Sequence, residues 1–270
     1  MKLAFVKAEG TGNDFIIIDA KDAPSAKNLS EIAKVLCRRR KSIGADGLLV
    51  YDKSSACDFK MRIFNPDGSE PGMCGNGIRC LAQYARKIKN LKKDRFNIET
   101  NAGSITVDFL KEDIPRIKLT DAKDLKLNFA LDVDGKKMNL NYVAVGVPHV
   151  VYLSSNIDKE DVAGLGRKIR FHEFFQPAGT NVNFIEIVSP NSLKVRTYER
   201  GVEGETLACG TGVSASSLVA FLLDKVKRPV SVTTRSAETL TIYIEGAKPK
   251  IEALYLEAEA KLVFEGKIEI

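Results

Sequence analysis

The sequence is poor in the residues that metal sites need, and it has no segment long enough to cross a membrane. It holds only two histidines, His149 and His172, and its five cysteines form no pair of Cys-x-x-Cys knuckles. We therefore expect no zinc site and no other metal. No stretch approaches the roughly 18 apolar residues that a spanning helix needs. The first residues are typical of a strand, so we expect neither a secretory signal nor a membrane partner.

The excess of positive charge is small, which argues against a nucleic-acid partner. The net charge of +6 comes from 41 Lys and Arg against 35 Asp and Glu. The basic residues form short clusters, at 38–41 and 92–93, without a long basic stripe and interleaved aromatics. Such clusters are typical of solvated faces. A mildly basic cleft would instead favour a small anionic molecule.

The odd number of cysteines points to free thiols in a reducing cytoplasm. Three of them, Cys37, Cys57 and Cys80, are expected to be small core residues. The other two stand in a different context. Each begins a Cys-Gly-x-Gly run, at 74–77 and at 209–212, and each run leads into a helix-like segment. Glycine costs roughly 1 kcal/mol inside a helix, so these runs are unlike ordinary core helix.

Two segments with helical spacing follow these runs. After Cys74 the apolar residues predict an amphipathic helix, with Arg79 and Gln83 on its polar side. After Cys209 the segment is apolar nearly all round, which predicts a buried helix that ends before Pro229. A third helix is expected from Glu31 to about Arg40, with Ser30 as its N-cap.

The rest of the chain is mainly strand-like, so we expect an α+β fold and not a doubly wound sheet. Segment 111–125 has the character of a crossover between two halves. We expect an N-terminal domain over 1–115 that carries Cys74, and a C-terminal domain over 116–257 that carries Cys209. The last residues, 258–270, are expected to return to the first domain.

A pair of opposed thiols can remove a proton from one face of a carbon and return one to the other. An unperturbed thiol has a pKa of about 8.5, and a helix N-terminus is expected to lower it. The glycines leave backbone N–H groups uncovered, which can bind a carboxylate and stabilise the charge that develops on it. No signature of pyridoxal phosphate is found, so we expect chemistry without a cofactor.

The chain resembles the diaminopimelate epimerases over almost its whole length. The matching runs lie in the family's order at 10–15, 44–47, 64–70, 73–80, 146–149, 179–184 and 198–212. The resemblance implies two pseudo-symmetric domains, each a mostly antiparallel sheet curled around a central helix. It implies conversion of LL-2,6-diaminopimelate to the meso form without a cofactor, in the synthesis of lysine and peptidoglycan precursors. A homodimer is compatible with it.

The resemblance also implies the site. Cys74 and Cys209 would be the two bases, one thiolate and one thiol in each resting form. His149 and Glu199 would assist them and hold the reacting end of the substrate. The residues implied for substrate binding, besides Glu199, are Asn13, Asn65, Gly75, Asn76, Asn181, Arg200, Gly210 and Thr211. At one position, Val147, many family members carry asparagine.

Three other functions compete with this interpretation. A proline or hydroxyproline racemase would share the thiol pair but would not need Arg200 and three asparagines for a second amino-carboxylate end. A redox-sensing dithiol protein would not exchange a substrate Cα hydrogen with solvent. A basic nucleic-acid-binding module would bind DNA in a salt-dependent way, and the composition gives it little support.

Overall fold

The computed structural model describes residues 2–23, 28–111 and 114–269. The chain divides into two compact units, one formed by the chain up to Ile117 together with the segment from Ala258, the other by Lys118–Glu257. Within the described residues four α-helices accompany the strands. The helices are α1 Leu29–Leu36, α2 Gly75–Lys87, α3 Val162–Phe171 and α4 Gly210–Leu222. No helix in this part of the chain is long and apolar enough to span a membrane.

The strands of the first unit form one run of neighbours. They are β1 Lys2–Gly10, β2 Asn13–Asp19, β3 Gly47–Asp52, β4 Phe59–Phe64, β5 Arg95–Thr100, β6 Gly103–Lys111, β7 Ile114–Lys118 and, from the end of the chain, β17 Lys261–Glu269. The pairing order is β17-β1-β2-β3-β4-β5-β6-β7. Among the described strand pairs of this unit, β2–β3 and β4–β5 are parallel, and they are connected through α1 and α2 respectively.

The second unit repeats this arrangement. Its strands are β8 Ala122–Val133, β9 Lys136–Val145, β10 Val147–Leu153, β11 Asn181–Ser189, β12 Ser192–Glu199, β13 Gly204–Thr206, β14 Val230–Thr233, β15 Thr239–Ala247 and β16 Lys250–Glu257. The order is β8-β9-β10-β11-β12-β14-β15-β16, with β13 added beside β12. Again two pairs are parallel, β10–β11 around α3 and β12–β14 around α4. The two units are therefore one α+β arrangement used twice.

In each unit alternate side chains of the sheet face different helices. Ile16 and Leu48 pack in a cluster with α1, whereas Leu49 reaches α2. In the second unit Val182 and Phe184 pack in a cluster with α3. Because successive strand residues point to opposite faces, the positions between them are left for α4. Residues 212–220 of α4 are all buried, so the prediction of a buried helix is confirmed.

Two local expectations are wrong. The first helix begins at Leu29 after Asn28, and the Ser30 hydroxyl donates to the carbonyl of Gly68, 2.8 Å away, instead of capping the helix. Arg79 and Gln83 are 0% and 1% exposed, so α2 has no solvated polar side at these positions. The expected crossover at 111–125 contains the boundary between the two units, after Ile117, and it holds all of β7 and the start of β8.

Candidate functional site

Both cysteines of the repeated motif lie at the start of a helix. Cys74 is the N-cap of α2 and Cys209 is the N-cap of α4, each with an extended backbone. The first N–H groups of a helix have no partner within it and carry a partial positive charge. The two runs thus give each unit a thiol beside a set of N–H donors. Gly75 and Gly210 are the first residues of these helices.

The third residue of each helix is a glycine because another side chain occupies the place of its Cβ. A Cβ at Gly77 would lie 2.9 Å from Cδ2 of Leu49. A Cβ at Gly212 would lie 2.3 Å from Oδ1 of Asn183. The two helices therefore approach equivalent strands, β3 and β11, at the same point of the motif.

The Cys209 thiol is held in its protonated form. It is 8% exposed. Burial and then the charge of Glu199 raise its pKa to about 11, although the Thr211 hydroxyl and the N–H groups of Gly212 and Thr211 act in the opposite direction. The helix N-terminus lowers the pKa of this thiol as expected, but the net shift is upward. Desolvation penalises the thiolate more than the helix end favours it.

In the first unit the structure brings Asn13 and Asn76 together. The Asn76 amide donates to Oδ1 of Asn13 over 2.8 Å, and the Asn13 amide donates to Oδ2 of Asp46 over 3.0 Å. Arg79 donates to Oδ1 of Asn76 over 2.8 Å and also to the Thr11 hydroxyl. Both asparagine side chains are thus fixed at the start of α2.

Asn65 lies apart from this chain of amides, in the turn after β4. Its amide donates to the Ser69 hydroxyl over 2.9 Å, and its backbone N–H donates to the Ser69 carbonyl over 2.8 Å. Cys74 is half-buried. Of the predicted residues of this unit, Asn65 is the one held by its own turn.

In the second unit Asn181 and Arg200 are joined. The backbone N–H of Arg200 donates to Oδ1 of Asn181 over 2.7 Å, and the guanidinium of Arg200 donates to the Ala178 carbonyl over 2.7 Å. Glu199 precedes Arg200 at the end of β12. Burial raises the pKa of Glu199, and hydrogen bonding with Thr206 offsets part of that rise.

His149 is fully buried on β10 and pairs across the sheet with Asn181. Burial, and then the positive charge of Arg200, lower its pKa to about 3, so the imidazole is neutral. Its Nδ1 lies 3.2 Å from the amide nitrogen of Asn183. Sequence reasoning missed Asn183. The available signal was the Asn-Val-Asn alternation at 181–183, which places two amides on one face of a strand.

No cluster of three or more His, Cys, Asp or Glu that could hold a metal ion occurs in residues 2–23, 28–111 and 114–269.

The comparisons with known proteins agree over the length of the chain. The family model described as diaminopimelate epimerase matches residues 5–123 and 141–263. A diaminopimelate epimerase of Aquifex aeolicus is 39% identical over 277 residues, covering 98% of each chain. One of Caldanaerobacter subterraneus is 39% identical over 284 residues, covering 99% of this chain and 100% of the relative.

Solved structures share the fold at low identity. A PhzF-family phenazine biosynthesis protein of Bacillus anthracis superposes with a TM-score of 0.74 at 16% identity, covering 100% of both chains. A hydroxyproline epimerase of Agrobacterium vitis superposes with a TM-score of 0.67 at 12% identity, covering 99% of this chain and 92% of that one.

Proposed function

The chain belongs to the diaminopimelate epimerase family, and we propose that it interconverts LL- and meso-2,6-diaminopimelate with Cys74 and Cys209 as its two acid–base groups. The observation that carries the mechanism is the repeated motif. Two thiols are the N-caps of equivalent helices in two units of equivalent topology. The reaction needs no cofactor in this scheme.

The proton transfers use one thiolate and one thiol. The thiolate removes the Cα proton of the substrate, and the C–H electron pair is delocalised into the adjacent carboxylate. The thiol then delivers a proton to the opposite face of the same carbon. A placed acid or base typically contributes about 10²–10⁴-fold. Because its pKa is raised to about 11, Cys209 is the protonated thiol in this scheme.

Backbone N–H groups can stabilise the negative charge that develops on the substrate carboxylate. We assign this role to the N–H groups at the start of α2 and α4, at Gly75 with Asn76 and at Gly210 with Thr211. Fixed backbone donors of this kind are often the largest single contribution to stabilising an oxyanion-like transition state. They require little reorganisation, since the helices hold them in place.

The polar residues around the thiols receive the two ends of the substrate. Asn13, Asn65 and Asn181 hold its polar groups, and Arg200 pairs with the distal carboxylate. Glu199 and His149 assist the thiols and hold the reacting end. The raised pKa of Glu199 supports its part, because burial makes this carboxyl a weaker acid than an ordinary glutamate and so a better proton acceptor from a neighbouring thiol.

The remaining parts of the proposal are the cellular compartment, the oligomeric state and the division into domains. The chain's own cysteines are all free, which fits a protein of the reducing cytoplasm. We propose further that the protein is a homodimer, a state that analytical ultracentrifugation would reveal. The two units correspond in this proposal to domains 1–115 with 258–270 and 116–257.

The proposed reaction is tested by incubating the protein with LL-diaminopimelate in heavy water. We expect the meso isomer to form with solvent deuterium at its Cα. Cys74→Ala and Cys209→Ala should lose epimerisation, whereas Cys57→Ala, which removes a half-buried cysteine outside the motif, should keep it. Full turnover by either motif variant would refute the two-thiol mechanism. Turnover of trans-4-hydroxy-L-proline in place of diaminopimelate would favour the racemase alternative.

A further inference from the structure

Three buried polar side chains of the second unit form a connected group on neighbouring strands. His149, Asn183 and Thr197 lie on β10, β11 and β12 and are 0%, 0% and 2% exposed. Asn183 faces Thr197 across the β11–β12 pair. His149 pairs with the residue two positions before Asn183. We call these three residues the polar trio.

The first unit has apolar residues at the equivalent positions. Phe15 pairs with the residue two positions before Leu49, and Leu49 faces Ile63 across the β3–β4 pair. These three are 3%, 0% and 4% exposed. The fold is therefore built in one unit with a wholly apolar set at this place. Burying a polar group costs free energy unless it is hydrogen-bonded, and Nε2 of His149 has no hydrogen-bond partner within the described residues, so folding alone does not account for the polar trio.

Hydrogen bonds fix the orientation of the Asn183 amide. Its Nδ2 donates to the Val150 carbonyl over 2.9 Å. A carbonyl can only accept, so the amide nitrogen must lie on that side. The Thr197 hydroxyl donates to Oδ1 from the other side over 3.0 Å. The two contacts specify the same orientation of the amide.

That orientation determines where His149 carries its proton. The second hydrogen of the Asn183 amide is directed to Nδ1 of His149, 3.2 Å away. Nδ1 must then be an acceptor, so a neutral imidazole has its hydrogen on Nε2. Nε2 is buried, and it has no hydrogen-bond partner in the part of the chain that the structure describes. A buried N–H of this kind is ready to bind an acceptor.

The polar trio also contacts the helix that carries Cys209. A Cβ at Gly212 would lie 2.3 Å from Oδ1 of Asn183 and 3.4 Å from Cβ of Cys209. Asn183 therefore packs directly against the first turn of α4. The Asn183 amide, which orients His149, therefore lies next to the start of α4, where Cys209 is the N-cap.

We propose that Asn183 and Thr197 are positioning residues that hold His149 in the tautomer with its proton on Nε2, so that this N–H is a fixed donor to the substrate's reacting carboxylate. The inference rests on the proposed function for the identity of the acceptor. The tautomer itself does not depend on that function, which keeps the two separately testable.

The test is nitrogen NMR of protein labelled with ¹⁵N-histidine. The sequence has only two histidines, so the His149 signals can be assigned by comparison with His172→Gln, which removes the second imidazole. We expect the wild-type His149 to show a protonated Nε2 and a bare Nδ1, with this tautomer at least tenfold more populated than the other. A wild-type spectrum with the proton on Nδ1 overturns the proposal.

The variants separate positioning from packing. Asn183→Leu copies the first unit's Leu49 and removes the donor to Nδ1, so the preference between tautomers should fall at least tenfold. Thr197→Val should lower it about five-fold by freeing the amide, the effect of losing one neutral hydrogen bond. Thr197→Ser keeps the hydroxyl and should restore the wild-type ratio. If Asn183→Leu does not fold, the Thr197 pair decides. A tautomer ratio unchanged in Thr197→Val overturns the role of Thr197, and a ratio unchanged in every folded variant overturns the whole proposal.

Kinetics supply the second readout. A donor that binds more strongly as charge develops should affect kcat more than KM. We expect kcat to fall at least tenfold in Asn183→Leu and severalfold in Thr197→Val, with KM within a factor of about three and Thr197→Ser close to wild type. An equal loss in Thr197→Ser and Thr197→Val would indicate packing alone. A wild-type protein that shows the expected tautomer but no epimerisation would contradict the proposed function and leave the tautomer assignment standing.

Discussion

The close approach of Gly212 to Asn183 leads to a sharp prediction for Gly212→Ala. The added methyl would lie 2.3 Å from Oδ1 of Asn183, well inside van der Waals contact. Asn183 cannot turn away without breaking its bonds to Val150 and Thr197. The variant must therefore either move the start of α4 or disrupt the amide that orients His149.

The magnitude follows from two opposing effects. Overpacking a tight interior site typically costs about 1–3 kcal/mol. Replacing glycine by alanine in a helix returns at most about 1 kcal/mol, and less near a helix end. We expect Gly212→Ala to lower the free energy of unfolding by about 1–2 kcal/mol. The loss of kcat should be larger than this loss of stability would suggest, because the displaced amide packs against the first turn of α4, where Cys209 stands as the proposed acid–base group.

Gly77→Ala is the matched control in the other unit. Its methyl would meet Cδ2 of Leu49 at 2.9 Å, the far end of a flexible side chain. A rotamer adjustment costs about 0.5–1.5 kcal/mol, which the gain in helix propensity nearly offsets. We expect its stability to stay within about 0.5 kcal/mol of wild type. Urea denaturation of both variants, with epimerase assays, makes the comparison.

A double-mutant cycle identifies the cause. In an Asn183→Ala background the clashing oxygen is gone, so Gly212→Ala should cost about 1 kcal/mol less than it does in the wild type. The reasoning is refuted if Gly212→Ala is as stable and active as Gly77→Ala. It is also refuted if the cost of Gly212→Ala is the same in both backgrounds.

Three further predictions concern ionisation and positioning. The rate at which iodoacetamide alkylates Cys209, followed by peptide mass spectrometry, should increase with pH up to about pH 11. Glu199→Gln should move this pH profile to lower pH, because it removes a negative charge. A midpoint near the ordinary thiol pKa would contradict the burial argument. Burial alone would raise the pKa of Asp108, but the hydrogen bonds and charges of Arg95 and Arg116 together lower it. The contribution of Asp108 to stability is therefore present above about pH 4, near the unfolded pKa. It is lost as the pH falls through the lower pKa of the native state. Asp108→Asn should cost about 2 kcal/mol at pH 7 and less in acid, as measured by denaturation at both pH values, and a gap that does not change with pH would count against this. Arg79→Lys keeps the positive charge, but an ammonium cannot bridge Thr11 and Asn76 as the guanidinium does. The KM for diaminopimelate should therefore rise severalfold. An unaltered KM would show that Asn76 and Asn13 need no such support.

The sequence was most informative where the backbone itself requires particular residues. A cysteine followed by Gly-x-Gly and an apolar run predicted the starts of α2 and α4, because glycine is unfavourable within a helix and is expected there only where backbone must stay uncovered. The α+β class followed from many short strands and few helices. The family resemblance then supplied residues such as Asn13 and Asn181, whose turn and strand contexts alone carried no functional signal.

The expectations that were wrong depended on contacts between distant residues. Ser30 has the side chain of an N-cap, but the carbonyl of Gly68 accepts its hydroxyl. The helix α3 was not predicted, because Gly164 and Gly166 interrupt its pattern. Gly166 is nevertheless needed, since a Cβ there would lie 2.5 Å from Cβ of Tyr198. Local propensity could not indicate any of these partners.

The ionisation of Cys209 shows that a helix N-terminus alone does not set the pKa of a thiol. Both cysteines cap a helix with the same Gly-x-Gly pattern, so the helix end favours the thiolate in the same sense in each unit. Burial and the charge of Glu199 overrule that effect at Cys209. The proposed two-base reaction needs one protonated thiol of this kind, because a base and an acid must be present together before substrate binds. The polar trio adds a second asymmetry at the same place in the repeat, with His149, Asn183 and Thr197 where the first unit has only apolar side chains. The duplicated backbone thus supplies two helix ends, and the side chains around the second one keep its thiol protonated, as the proposed mechanism requires of a proton donor.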